Sequence, residues 1–209
     1  MKEETRPILV GIDLAGSPRR PTGLCLLRGT QALTSVAYSD DDILGLVTAA
    51  RPVLVPIDAP LSLPRGRRSI HSRSGGHLRE CDRELLCRKI RFFPITLGPM
   101  RMLTARGLAL KKRLEAMGYR AVECYPGGAQ DVWGLPRQRH NRSGLLAGLR
   151  KLGLRGLQNS STGDELDAAT AALVGRWFLL GHGTMLGGAR GIVMPVGRDI
   201  AADSRGSAR

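Results

Sequence analysis

Aromatic residues are scarce. Three Phe, three Tyr and two Trp make up 4% of 209 residues, so the core must rest on Leu, Val, Ile and Ala, and few rings are available for stacking on bases. No apolar run approaches the ~18–20 residues that cross a bilayer, which predicts a chain that does not span a membrane. The N-terminus, Met1 to Pro7, carries two glutamates and leads straight into a strand pattern rather than a hydrophobic signal segment, so a cytoplasmic location is expected. Cys25, Cys81, Cys87 and Cys124 include no CxxC pair, and His71, His77, His140 and His182 show no HxH or HxxxH spacing. Neither a zinc site nor a disulfide framework is indicated. Ser17 and Ser62 lack a base partner, which excludes a serine-nucleophile scheme.

What is abundant is positive charge. Lys plus Arg is 32 against 18 Asp plus Glu, a net +14, and only five of the cations are lysine. The excess is uneven, because residues 61–120 hold 15 cations and 4 acids. Such a balance favours a polyanionic partner, nucleic acid in the first place, although it speaks to association and not to reaction. The length suits one well-cored domain, expected over residues 1–198 with a frayed tail at 199–209.

Along the chain, Ile8–Asp13 reads as a buried strand, followed by strand candidates at Thr22–Arg28 and Ala32–Ser39, a three-strand meander. Ser39 and three aspartates precede a helix over Ile43–Ala50. Pro52–Pro60 is a further apolar run in which Pro56 argues for a bulge or an irregular end. Leu61–Gly76, rich in Pro, Arg, Ser and Gly, reads as a mobile basic loop, and helices are predicted over His77–Arg91 and Met100–Met117. A strand over Tyr119–Tyr125 closes at Pro126-Gly127-Gly128. Helices over Ser143–Leu152 and Gly163–Leu180 and a terminal strand over Arg190–Val196 complete a mixed α/β pattern.

The residues that ask for chemistry are acids in apolar settings: Asp13, Asp58, Glu123, and the helix start Asp164-x-x-Asp167. Thr162 and Glu165 form a capping box, which makes Glu165 structural. At about 100° per residue Asp167 falls on the apolar stripe of its helix and points inward. An inward carboxylate costs several kcal/mol unless a cation, a donor or a proton compensates it, roughly as much as a domain can spare. A hard divalent metal would serve, since strand-end acids and a helix Asp-x-x-Asp form an oxygen-rich cage. Other readings stay open: Asp164 as a helix-dipole partner, Asp13 and Asp58 as turn carboxylates, and Glu123 as the partner of an arginine from the basic segment.

The ordered set GIDLAGS (Gly11–Ser17), IDAPLSLP (Ile57–Pro64), RECDREL (Arg79–Leu85), VECYPGG (Val122–Gly128) and DELDAATAAL (Asp164–Leu173) resembles the family called domain of unknown function 429, over about residues 8 to 196. That family is regarded as a nuclease of the ribonuclease H-like fold. The resemblance implies an α/β fold with a mixed five-stranded sheet flanked by helices, with a basic loop and helical insert at residues 61–118. It places Asp13 on the first strand, Asp58 at the fourth, and Asp164 and Asp167 opposite them. The helix start also looks like that of Holliday-junction resolvases, which carry Glu where this chain has Asp58. Carried over to this chain, Asp13, Asp58, Asp164 and Asp167 are the implied Mg²⁺ (or Mn²⁺) ligands and Glu123 a further catalytic acid. The implied activity is metal-dependent hydrolysis of DNA or RNA phosphodiesters.

Arg65, Arg67, Arg68 and Arg73 are read as a flexible phosphate-gripping arm, and Arg79, Arg83 and Arg88 either as further nucleic-acid contacts or as partners of Glu80, Asp82 and Glu84. Two other functions compete. Gly11–Ser17 also resembles the first phosphate motif of the actin and sugar-kinase superfamily, whose members close two lobes around ATP where this chain has room for one. A catalytically silent nucleic-acid-binding module would bind without magnesium-dependent cleavage. A homodimer is compatible with all three.

Overall fold

The computed structural model describes residues 6–72 and 74–196. The described residues form seven strands and six α-helices in the order β1 (Ile8–Asp13), β2 (Thr22–Arg28), β3 (Gln31–Ala37), α1 (Asp40–Ala50), β4 (Val55–Asp58), α2 (Glu80–Cys87), α3 (Gly98–Ala116), β5 (Ala121–Cys124), α4 (Pro126–Val132), α5 (Arg142–Lys151), α6 (Gly163–Leu179), β6 (Gly183–Leu186) and β7 (Ile192–Pro195). All strands share one mixed sheet of order β3-β2-β1-β4-β5-β7-β6. The sheet thus has seven strands where five are expected. The pair beyond the implied five is the β6–β7 hairpin, added beyond β5 by a parallel β5–β7 pairing; β7 (Ile192–Pro195) falls in the expected terminal strand Arg190–Val196, and β6 is the strand not foreseen. That strand, Gly-Thr-Met-Leu, is four residues between glycines and carries no alternation legible beforehand.

Pro56 stands inside β4 rather than at its end. The chain accommodates it by interrupting the β1–β4 ladder. Leu9 bridges Leu54, and pairing resumes only at Ile12–Ile57 and Asp13–Asp58, so the missing proline N–H is not demanded by a neighbour. Another difference lies after β5. Pro126 does close the strand, but it also opens α4, because a proline at the first helical position gives up an N–H that would be unpaired anyway.

Side chains alternate across the sheet, and each face carries its own core. On one face Leu9, Leu54, Val122 and Val193 pack with the Ala-rich α6, with α5 and with Trp133 at the end of α4. On the other, Val10, Ile12, Val55, Ile57 and Ala121 pack with Ile43 and Val47 of α1 and with Leu110 and Leu114 of α3. Each fully buried leucine of this kind contributes about 2 kcal/mol by the area it removes from water. A satellite cluster of Cys81, Leu85, Ile90, Leu186, Ile192 and Met194 docks α2 on the β6–β7 hairpin.

Two glycines set the approach of α6 to the sheet. A Cβ on Gly11 would lie 2.2 Å from the carbonyl oxygen of Ala168, and one on Gly23 would lie 2.0 Å from that of Asp164. Only bare backbone admits the helix so near. Gly23 pairs with Asp13 in the β1–β2 register, so the contact sets the N-terminus of α6 beside the end of β1.

The basic loop from Leu61 to Gly76 carries an internal tie at Arg67. Arg67 is buried, and its guanidinium donates to the carbonyls of Ser72, Gly75 and Gly76, spanning the segment it belongs to. The expected tail at 199–209 lies outside the described residues.

Candidate metal centre

β1 and β4 run parallel with Asp13 and Asp58 as register partners, so their carboxylates leave adjacent strands, about 4.8 Å apart, on the same side. That side is the α6 face, because Asp13 follows Leu9 and Gly11 in alternation and Asp58 follows Leu54 and Pro56, which meets Gly175 of α6. Thr162 caps α6 through the backbone N–H of Glu165, and the Glu165 carboxylate accepts from the N–H of Thr162 in return. This fixes the first turn of the helix, from which Asp164 and Asp167 project. The sheet end and the helix start therefore bring four carboxylates to one place.

Their electrostatics report that convergence. Burial, then the charges of Asp58, Asp167 and Asp164, push the Asp13 carboxyl well above the ordinary carboxylate range, opposed by Arg139. Burial, then Asp167 and Glu123, do the same to Asp58, opposed by Arg137. Asp167 is raised to about 6 by burial, partly relieved by a hydrogen bond from Gln130 Nε2 to its Oδ1 at 2.6 Å. No hydrogen-bond donor reaches the carboxylates of Asp13 or Asp58 among the described residues. Partly buried acids that raise one another, with a donor reaching Asp167 alone of those shifted, hold their full charge best with an external cation or a shared proton.

The donor chemistry fits a hard divalent ion, since it consists of carboxylate oxygens alone. As the side chains stand, no three Asp, Glu, His or Cys among the described residues lie close enough together to hold an ion.

Glu123 stands apart from the four. It alternates with Ala121 and so leaves β5 on the opposite face, although it neighbours Ile57 in register. There its Oε2 accepts from Arg79 Nη1 and from the backbone N–H of Leu61, each at 2.7 Å. Arg79 also grips Asp82 through Nε and Nη2. All three side chains are buried, so the pairing with an arginine of the basic segment is the one realised, and Arg79 is an internal tie of the insert rather than a surface contact.

The remaining predicted arginines divide further. Arg67 is spent on its own loop; Arg65, Arg68, Arg83 and Arg88 are exposed, with Arg88 3.9 Å from Glu84; Arg73 lies outside the described residues. None of these bears on the charge of the four acids. The cations that do are Arg137 and Arg139, from the loop between α4 and α5. Arg137 is engaged by Asp131 at 2.6 Å and by the Tyr125 hydroxyl, whereas Arg139 is exposed. The run Arg137-Gln138-Arg139-His140 was a visible signal, but in sequence it is indistinguishable from an ordinary solvated loop.

Arg106 was not singled out by sequence reasoning. It is buried on α3 and donates to the carbonyls of Ala15 and Tyr38 and to Asp40, bracing the turn that follows Asp13. Its signal was positional: an arginine standing in the apolar stripe Leu103, Leu110, Leu114.

The fold is a mixed seven-stranded α/β sheet flanked by helices, ribonuclease H-like, with acids at the ends of two adjacent parallel strands and a helix that begins with two more. Among solved structures the chain is similar to Thermus thermophilus RuvC in complex with a Holliday junction substrate, with TM-score 0.50 and 13% identity over 83% of this chain and 96% of that one. It is also similar to a Thermus thermophilus RuvC structure, with TM-score 0.47, 13% identity and the same coverage. Residues 11–190 match the model of the family described as protein of unknown function (DUF429), and the chain belongs to that family. No curated protein matches it in sequence.

Proposed function

We propose that this protein is a divalent-metal-dependent nuclease that hydrolyses phosphodiester bonds in nucleic acid. The observation that carries the reading is the meeting of Asp13, Asp58, Asp164 and Asp167 at one end of the sheet, each partly buried, with Asp13, Asp58 and Asp167 pushed up by burial and by neighbouring acids. The resolvase-like fold supports it, as does the net +14 charge. RuvC was captured with a Holliday junction, and a branched DNA is the first substrate to try here.

Asp13, Asp58, Asp164 and Asp167 would hold Mg²⁺ or Mn²⁺, which would supply an activated water and stabilise the leaving oxygen. Gln130 orients the Asp167 carboxylate through its short hydrogen bond and is itself placed by Thr170. Arg139, exposed beside the acids, contacts the phosphate backbone, while Arg65, Arg68, Arg83 and Arg88 hold more distant parts of the polyanion. Arg106 keeps the turn after Asp13 from shifting.

The test compares wild type with Asp167→Asn on labelled duplex, branched and single-stranded substrates, each with Mg²⁺, Mn²⁺ or chelator. Cleavage should require the metal and be lost in the variant. Equal cleavage by both proteins removes Asp167 from the reaction. A second readout needs no turnover: Mg²⁺ should raise the melting temperature of wild type by neutralising the acids, and raise it less in Asp13→Asn.

A further inference from the structure

On the face of the sheet away from the four acids, the insert, α3, β5 and the turn between β6 and β7 enclose a cleft of about 580 Å³. Its floor includes Glu123. The Oε2 of that residue is fully engaged by Arg79 and by the Leu61 N–H, but its Oε1 takes no hydrogen bond among the described residues and the side chain lines the cleft. Burial pushes the Glu123 carboxyl up and Arg79 opposes it. A direct ion pair at 2.7 Å favours the charged form, which leaves one oxygen as a strong acceptor at the base of a cavity.

The walls and mouth have a different character. Leu61, Leu63 and Leu108 give apolar surface, while Arg65, Arg120 and Arg190 bring positive charge. Arg65 and Arg190 also line a smaller recess of about 80 Å³ together with Arg83, so the cations continue along the rim. Lys111 lines the cleft too but is committed to Glu115 at 2.8 Å. The cleft therefore presents an acceptor deep inside, an apolar middle and guanidinium groups at the opening.

We propose that this cleft is a separate binding site for a nucleoside monophosphate, with the base inward and the phosphate at Arg65 and Arg190. The volume suits a mononucleotide, as ligand cavities start at about 300 Å³. The free Glu123 oxygen selects a base that offers an exocyclic amino group. Uracil is disfavoured, because its single imide N–H lies between two carbonyl oxygens that a carboxylate repels. Guanidinium groups suit a terminal phosphate dianion. The cleft lies on the other face of the sheet from Asp13 and Asp58, although the Glu123 charge is among the influences that raise Asp58.

Calorimetric titration of the full protein with CMP, UMP and inorganic phosphate tests it, with and without Arg190→Ala, an exposed change that leaves the core intact. CMP should bind about tenfold more tightly than UMP, the worth of one hydrogen bond to a charged group. Arg190→Ala should weaken CMP by about tenfold, and Asp13→Asn should leave it unchanged. Equal affinities for CMP and UMP overturn the role of Glu123. Phosphate binding as tightly as CMP, or no binding of either nucleotide, overturns the site. A loss of CMP binding in Asp13→Asn would relocate the nucleotide to the metal centre and overturn it equally.

Discussion

The two faces of the sheet treat buried acid in opposite ways. On the insert face, Glu123 and Asp82 share one arginine, whose guanidinium reaches both carboxylates at 2.7–2.8 Å. On the α6 face, Asp13 and Asp58 stand side by side without donors, and the nearby cations, Arg137 and Arg139, act only from a distance. The first arrangement gives each carboxylate a direct ion pair and holds an insert to a sheet. In the second, Asp13 and Asp58 have no direct partner among the described residues and neighbouring acids push both up. Charge density alone therefore does not separate the two faces; a directly paired cation does.

The largest effect is expected on the insert face. Replacing Arg79 by Ala strands Glu123 and Asp82 in the interior, and breaking a buried pair this way costs about 3–5 kcal/mol. Urea unfolding of Arg79→Ala should show it, and a loss below about 1 kcal/mol would mean the pair is not desolvated as described. Gly23→Ala comes next. Its new Cβ would meet the Asp164 carbonyl at 2.0 Å, so α6 must retreat, at a cost of about 1–3 kcal/mol and with loss of any metal-induced stabilisation. Unchanged Mg²⁺ response in that variant would break the link between helix approach and site.

On the α6 face the sign reverses. An acid whose folded pKa lies near 6, against about 3.9 unfolded, binds its proton more tightly when folded. Its contribution to stability is thus lost as pH rises from 4 to 6 and stays lost above. Asp167→Asn removes that penalty and should stabilise the metal-free protein by about 2 kcal/mol at pH 8, with the gain vanishing near pH 4. Thermal melts across that range decide it; destabilisation at pH 8 would contradict the upward shift of Asp167. The smallest effect belongs to Arg139→Ala. It should leave stability within about 0.5 kcal/mol and reduce the salt slope of nucleic-acid binding by about one unit, read from titrations at several ionic strengths.

The strands and helices that carry the acids were legible because their signals are local. Ile8–Asp13 is an unbroken apolar run ending in a carboxylate, and Thr162 to Glu165 is a capping box. β6 and α4 were not, since one is a four-residue strand among glycines and the other begins with a proline that reads as a stop, whereas the apolar run of β7 was legible as a terminal strand. Arg67 and Arg79 sit among exposed arginines of the same composition, and only their burial separates them from Arg65 and Arg68.

The sequence by itself determined that Asp13, Asp58 and Asp167 are acids in apolar surroundings, because alternation and helical period are properties of neighbouring residues. Only the tertiary structure decided that Glu123 belongs to the other side. The parity of β5 against β4 depends on which residues become register partners, and that is settled by strands and helices far apart in the chain packing against one another.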